Sequence, residues 1–130
     1  MRFWYSIVLL SAEATKNGWA VTIVVADAGG VPLHLHRHAF PASAEIAMGK
    51  ARTAALFAKE TAGLEALANV AEGEARTALL SAPFVLMRGG VPIIIDGQCI
   101  GAVGVSGVRA DQDEQIARAG VDVVTGEVPP

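Results

Sequence analysis

Three histidines at alternating positions are the most distinctive candidates for chemistry in this chain. His34, His36 and His38 alternate with Leu35 and Arg37, and a period of two is typical of a β-strand, in which every second side chain points to the same face. Neutral imidazole is a common ligand of metal ions, including haem iron. The row predicts a metal or haem ligand set at the three histidines; the alternative is a row of exposed side chains on an edge strand.

Three cations could recognise a negatively charged ligand. Arg37 and Arg88 can grip a carboxylate in bidentate fashion, whereas Lys50 would act as a point charge. Lys50 lies among small apolar residues of a predicted helix, so we expect a packed stem and an ammonium group that needs a partner. Three roles stay open for it: a structural ion pair with Asp27, a contact with a carboxylate ligand, or a base or Schiff-base amine.

A glycine-rich stretch supplies the remaining candidates. Glycine at 89, 90, 104 and 107 would let another element or a ligand approach the backbone closely, and the amides from Gly104 to Gly107 could bind a carboxylate. Ser106 invites a nucleophile interpretation, but Val108 replaces the last glycine of the nucleophile-elbow motif. We therefore predict a turn or anion-binding role for Ser106, and we assign no catalytic residue. The predicted ligand-binding residues are His34, His36, Arg37, His38, Lys50, Gly89, Gly90, Gly104, Ser106 and Gly107.

Composition limits the class of protein. The 130 residues are 52% hydrophobic with a net charge of −3, which favours one compact domain over residues 1–130 and argues against a nucleic-acid partner, for which a basic stripe would be needed. Cys99, the single cysteine, cannot form an internal disulfide. The apolar run after Arg2 has the outline of a secretory signal but is too short to cross a bilayer. A cytoplasmic protein is predicted, with export as the alternative.

The elements that must position these residues follow from local patterns. Asp96-Gly97 between two β-rich runs predicts a tight hairpin, and Ser43 and Asp111 are predicted to cap helices. Strands joined mostly as hairpins, with helices between and around them, indicate an α+β fold with a five-stranded antiparallel sheet. The predicted order is a helix at 7–17, strands at 19–26 and 31–38, a helix at 44–59, a short helix from Thr61, strands at 84–87, 92–95 and 99–105, a helix from Asp111 to Gly120, and a tail at 125–130.

Four ordered blocks of sequence stand out together. They are Gly18-Trp19 leading into Ile23-Val24-Val25-Ala26-Asp27-Ala28-Gly29-Gly30; Lys50-Ala51-Arg52-Thr53-Ala54-Ala55; Gly89-Gly90-Val91-Pro92-Ile93; and Gly101-Ala102-Val103-Gly104-Val105-Ser106-Gly107, followed by Gln112-Asp113-Glu114. In combination these blocks resemble the GlcG/HbpS family, also called the haem-degrading domain, which includes the C-terminal domain of PduO-type proteins. The resemblance covers about Ala12 to Val124.

The resemblance implies a profilin-like fold of α/β/α layers and assembly into homo-oligomers. It also implies haem binding in some members, and genes of small-molecule catabolism beside others. One departure concerns the segment after the second strand, where family members usually carry a sequence like Arg-Met-Asp-Gly-Ala. This chain has Arg37-His38-Ala39-Phe40-Pro41 there, which is two residues shorter and lacks the acid.

Two functions are consistent with these residues. The first is a small-ligand-binding protein that holds haem or a related tetrapyrrole in an oligomer, using the histidine row and a cationic rim. The second is an enzyme or accessory protein acting on a small organic acid, with Lys50, Arg37 and the stretch from Gly101 to Gly107 around it. Aromatic residues make up only 5% of the chain, which weighs against the first, and the lack of a complete acid–base constellation weighs against the second.

Overall fold

The structure, a computed structural model, describes residues 2–70 and 73–126, and for residues 2–9 it describes the helical backbone alone. Within these ranges the chain forms an α+β fold. The elements are α1 (Arg2–Asn17), β1 (Thr22–Asp27), β2 (Pro32–Arg37), α2 (Ala42–Phe57), α3 (Thr61–Ala68), a 3₁₀ helix (Thr77–Ser81), β3 (Gly90–Ile95), β4 (Gln98–Ser106) and α4 (Ala110–Thr125). No helix among the described residues is both long enough and apolar enough to cross a membrane.

The described strands form one antiparallel sheet of four strands in the order β2-β1-β4-β3. The predicted fifth strand, at 84–87, is wrong. The Val85 N–H donates to the Thr53 hydroxyl of α2 at 3.1 Å, and the Phe84 ring packs edge-on against Phe57 with centroids 5.0 Å apart. The segment lies across α2 because its polar and aromatic groups find their partners on that helix and not on a strand.

Helices cover both faces of the sheet. α2 packs on one face through small side chains, and Gly104 of β4 faces it so closely that an added Cβ would clash with the Ala47 carbonyl oxygen. α1 and α4 pack on the other face, over the larger apolar core. That core comprises Leu10, Ala14, Val21, Ile23, Val25, Val91, Ile93, Val103, Val105, Ile116, Ala117 and Val121.

The predicted hairpin is confirmed. Asp96 and Gly97 both have positive φ, 52° and 77°, as a two-residue turn that follows the twist of the strands requires. Gly18, with φ at 71°, ends α1 as predicted.

Three predicted helix ends are wrong. Gly120 does not stop α4, which continues to Thr125 and ends at Gly126; Gly120 instead lets α4 approach Leu10 of α1. Ser43 lies inside the first turn of α2, where its hydroxyl donates to the Phe40 carbonyl and meets Thr22 Oγ1. Arg109, not Asp111, precedes α4. Residues 127–130 of the predicted tail lie outside the described residues.

Candidate functional site

His34 and His36 lie on β2, at one edge of the sheet, and His38 directly follows the strand. His36 is opposite Ile23 and His34 is opposite Val25, so both side chains share the face that α1 and α4 cover. Leu35, opposite Val24, points to the other face and is 46% exposed, whereas His34 and His36 are half-buried and His38 is exposed. The alternation of His34, Leu35 and His36 was therefore predicted correctly, and His34 and His36 occupy the more enclosed side of the strand.

His36 and His38 form a close imidazole pair. Their Nε2 atoms are 2.5 Å apart, and their ring centroids are 4.4 Å apart. In such a contact one nitrogen carries a proton and the other accepts it. Within the described residues, no three His, Cys, Asp or Glu side chains are grouped closely enough to hold a metal ion. The structure brings His36 and His38 into contact, and the metal-ligand role of the three histidines stays a prediction.

A groove of about 440 Å³ opens beside this pair, between the end of α1 and the start of β1. It is lined by His38, by the half-buried ring of Trp19 and by Ser11 and Thr15 of α1. The Ser11 hydroxyl oxygen is buried and has no hydrogen-bond partner among the described residues. The sequence carried no signal for Ser11 as a site residue, and Trp19 was not predicted as one although it stands in the first of the four family-like blocks.

Lys50 is fully buried and lies elsewhere, on the α2 side of β4. Its ammonium donates to the Val105 carbonyl at 2.8 Å and to Asp113 Oδ2 at 3.1 Å. The other carboxylate oxygen of Asp113 accepts the Val108 N–H at 3.2 Å. Burial raises the pKa of Asp113, against the opposing attraction of Lys50. The ion pair joins α2 to the first turn of α4 around the end of a central strand.

The prediction of an ion pair for Lys50 is confirmed, but the predicted partner, Asp27, is wrong. The Asp27 carboxylate accepts the N–H groups of Gly29 and Val31 at 2.9 and 3.0 Å, so it closes its own turn. Asp113 was missed as the partner, although it stands in the last of the four family-like blocks. A carboxylate in the first turn of a helix is common because it interacts favourably with the helix dipole. The neighbouring sequence therefore does not show that Asp113 is instead the buried partner of an ion pair.

The four predicted glycines are in contact with the protein itself. Gly89, with φ at 128°, closes over the Lys50 ammonium, and Gly90 lies against the Lys50 carbonyl. The Gly90 N–H donates to the Thr61 hydroxyl at 2.8 Å. Gly104 faces α2, and Gly107 lies against Val21 and Ala39. Each therefore allows a close approach of protein elements, and Ser106 beside them is buried.

The predicted cations do not converge on one rim. Arg88 forms a bidentate pair with Glu114, at 2.8 and 3.2 Å, and this hydrogen bond raises the pKa of Arg88. Arg37 donates to the Ala39 carbonyl at 2.8 Å. The predicted residues thus separate into the histidine pair with its groove and the buried Lys50 pair with its glycines.

A four-stranded antiparallel sheet between two helical layers, with a histidine pair beside a groove at one edge, defines an α+β domain with a candidate ligand site. The chain belongs to the HbpS-like family, described as haem degrading protein HbpS-like, whose family model matches residues 4–122. It is 49% identical over 97 residues to Protein GlcG of Escherichia coli K12, covering 72% of this chain and 69% of GlcG.

Two crystal structures share the fold. The PduOC:haem complex superposes with a TM-score of 0.82 at 25% identity, covering 92% of this chain and 89% of PduOC. A double mutant of HbpS of Streptomyces reticuli gives a TM-score of 0.81 at 31% identity, covering 94% of this chain and 83% of HbpS.

Proposed function

We propose that this protein binds haem or a related tetrapyrrole in the groove beside His38, with the His36–His38 pair supplying the ligand to iron. The observation that carries the proposal is the meeting of two imidazole nitrogens, 2.5 Å apart, at a groove that His38 itself lines. Membership of the HbpS-like family supports a haem-related role, as does the similarity to PduOC, which was crystallised as a haem complex.

The residues of the groove fit such a ligand. A tetrapyrrole supplies four nitrogens to its iron, so one imidazole is sufficient as the protein ligand. Trp19, half-buried in the lining of the groove, offers an aromatic surface to a tetrapyrrole ring. The groove volume of about 440 Å³ lies within the roughly 300–1,000 Å³ common for ligand pockets. When bound, haem would bring redox-active iron to this edge of the sheet.

The histidine pair has a defined part in this proposal. In a neutral pair, one ring donates its Nε2–H and the other accepts it with the Nε2 lone pair. Of the two rings, His38 lines the groove, so its lone pair would be the one to reach iron, in place of that hydrogen bond. His36 would lie beside the ligating ring, as it does here with the ring centroids 4.4 Å apart.

Assembly of several copies belongs to the same proposal, as the family resemblance implies. The alternative, an enzyme acting on a small organic acid through Lys50, gains no support from the geometry because that ammonium is enclosed and paired with Asp113.

Hemin titration of the purified protein tests the haem proposal. We expect a saturable shift of the Soret band, and we expect His38→Ala and His36→Ala to bind about tenfold or more weakly, which corresponds to about 1.4 kcal/mol. His34→Ala removes the same side chain from the same strand but outside the pair, so it should weaken binding less than His38→Ala does.

Circular dichroism of each variant would show that the fold is intact. A double His36→Ala, His38→Ala variant that folded normally and kept the wild-type Soret spectrum and affinity would refute this site.

A further inference from the structure

The outer edge of β2 is one of the two edges of the sheet, since β2 and β3 are the outer strands. In the described part of the chain, β2 has a paired neighbour, β1, on one side only. Among its apolar side chains, Leu33 and Leu35 are nearly half exposed. A free edge strand with exposed apolar side chains is a template for pairing with another strand. The question is which strand fits it.

The hydrogen bonds of β2 show which of its main-chain groups point outward. The His38 N–H donates to the Val21 carbonyl, and the register continues with His36 opposite Ile23 and His34 opposite Val25. In an antiparallel pair, hydrogen-bonded and non-hydrogen-bonded residues alternate. The even-numbered residues therefore bond to β1, and the main-chain groups of Leu35 and Arg37 point away from the sheet.

The register irregularity of this strand pair restricts where a new strand can bind. It lies between Val25 and Ala26 of β1, opposite 32–34 of β2, and such a bulge disturbs the direction of the hydrogen-bonding groups beside it. Regular outward groups are thus confined to the segment from His34 to His38. A partner strand must therefore form hydrogen bonds with the outward main-chain N–H and C=O groups of Leu35 and Arg37.

A second copy of the same strand meets this requirement. In a two-fold symmetric, antiparallel arrangement centred on His36, Leu35 of each copy faces Arg37 of the other, and these two pairs can exchange main-chain hydrogen bonds. The only charge on the strand, Arg37, then faces an apolar side chain and not its own copy. On the other sheet face, His36 faces its symmetry mate and His34 faces the partner copy's His38.

We propose that two copies of this chain pair antiparallel through the free edges of their β2 strands, centred on His36, so that one sheet continues through both copies. The two histidine rows then meet on a single face, and each chain adds its imidazoles to the pair of the other. This inference rests on the self-association included in the proposed function and names its interface. It does not depend on haem binding.

A two-by-two charge test at positions 35 and 37 checks the interface and its register. The mass in solution, measured by light scattering after size-exclusion chromatography without haem, should be twice the chain mass of 13.4 kDa for the wild type. Leu35→Lys places a cation opposite Arg37 of the other copy, so we expect monomers. Leu35→Glu places an anion there, so we expect dimers.

Adding Arg37→Glu makes position 37 negative, so the expected effect of each charge at position 35 is reversed. Leu35→Lys with Arg37→Glu should restore the dimer, whereas Leu35→Glu with Arg37→Glu should dissociate it. Leu80→Lys is the matched control, because Leu80 is 80% exposed and lies in the 3₁₀ helix away from the edge; it should leave the mass unchanged.

A monomeric wild type, or masses that do not follow the signs of the charges at 35 and 37, would overturn this interface. Since the masses are measured without haem, a dimer that fails to bind hemin would refute the haem site alone. A monomer that binds hemin would refute the interface alone.

Discussion

Removal of one partner of the buried Lys50–Asp113 pair should strongly destabilise the protein. The two side chains are 1% and 3% exposed, so the partner left behind remains in an environment of low dielectric. Breaking a buried ion pair from one side costs about 3–5 kcal/mol. Small domains have unfolding free energies of about 5–15 kcal/mol, so we expect Lys50→Met or Asp113→Ala to remove a large fraction of the stability.

A double variant separates two contributions to this loss of stability: the lost attraction between Lys50 and Asp113, and the cost of leaving one of the two charges buried without its partner. Met has about the length of the Lys stem, and Asn at 113 keeps an oxygen to accept the Val108 N–H. Lys50→Met with Asp113→Asn contains no buried charge, so we expect it to be more stable than Lys50→Met alone. Interaction energies between contacting residues are about 0.5–3 kcal/mol, and the double-mutant cycle should give a value at or above the upper end of this range.

Urea denaturation followed by circular dichroism measures these changes. The exposed pair of Arg109 and Asp111 provides the matched control, since its two side chains are 74% and 48% exposed and Asp111→Ala should leave the midpoint nearly unchanged. If Lys50→Met and Asp111→Ala shifted the unfolding midpoint equally, or if the double variant were as unstable as the sum of its single changes, the buried pair would not have the role assigned to it.

The remaining predictions concern pH and close packing. Burial raises the pKa of Asp113 above its ordinary value of 3.8. Between pH 3.8 and the raised pKa, the folded protein therefore binds more protons than the unfolded chain. In this pH range the contribution of Asp113 to stability increases as the pH falls. Urea titrations of the wild type and Asp113→Asn from pH 7 down to 3.8 should show their difference in unfolding free energy shifting in favour of the wild type; a shift in the opposite direction would mean that the attraction of Lys50 outweighs burial. Gly104→Ala should destabilise the protein by about 1–3 kcal/mol, because its Cβ would press on the backbone of α2 at Ala47 and Ala51. Gly63→Ala in α3 has nothing within 4 Å of its Cβ and should stabilise by up to about 1 kcal/mol through helix propensity; thermal unfolding of both variants would contradict the packing argument if their signs agreed.

The candidate site could be predicted only in part. The alternation of His34, His36 and His38 is a local pattern, so their common strand face was predictable. The groove beside His38 was not, because Ser11 and Trp19 approach it from another element. Likewise, an ion pair for Lys50 followed from its apolar surroundings, but its partner stands 63 residues away in the chain, and Asp27 found partners in its own turn.

The sequence by itself determined the features that depend on neighbouring residues. The Asp96-Gly97 turn, the positions of β1, β2 and β4, and the small-residue face of α2 all follow from backbone conformation and hydrophobic periodicity, and the four family-like blocks indicated the family. Tertiary structure decided what depends on competition between distant partners. The segment at 84–87 has the composition of a strand, but hydrogen bonds and ring packing hold it on α2. A glycine at 120 resembles a helix stop, yet α4 continues through Gly120 and the Leu10 side chain of α1 packs against it. The physical reason is the same in each case: local preferences amount to about 1 kcal/mol or less per residue, and burial and pairing contributed by remote elements exceed them.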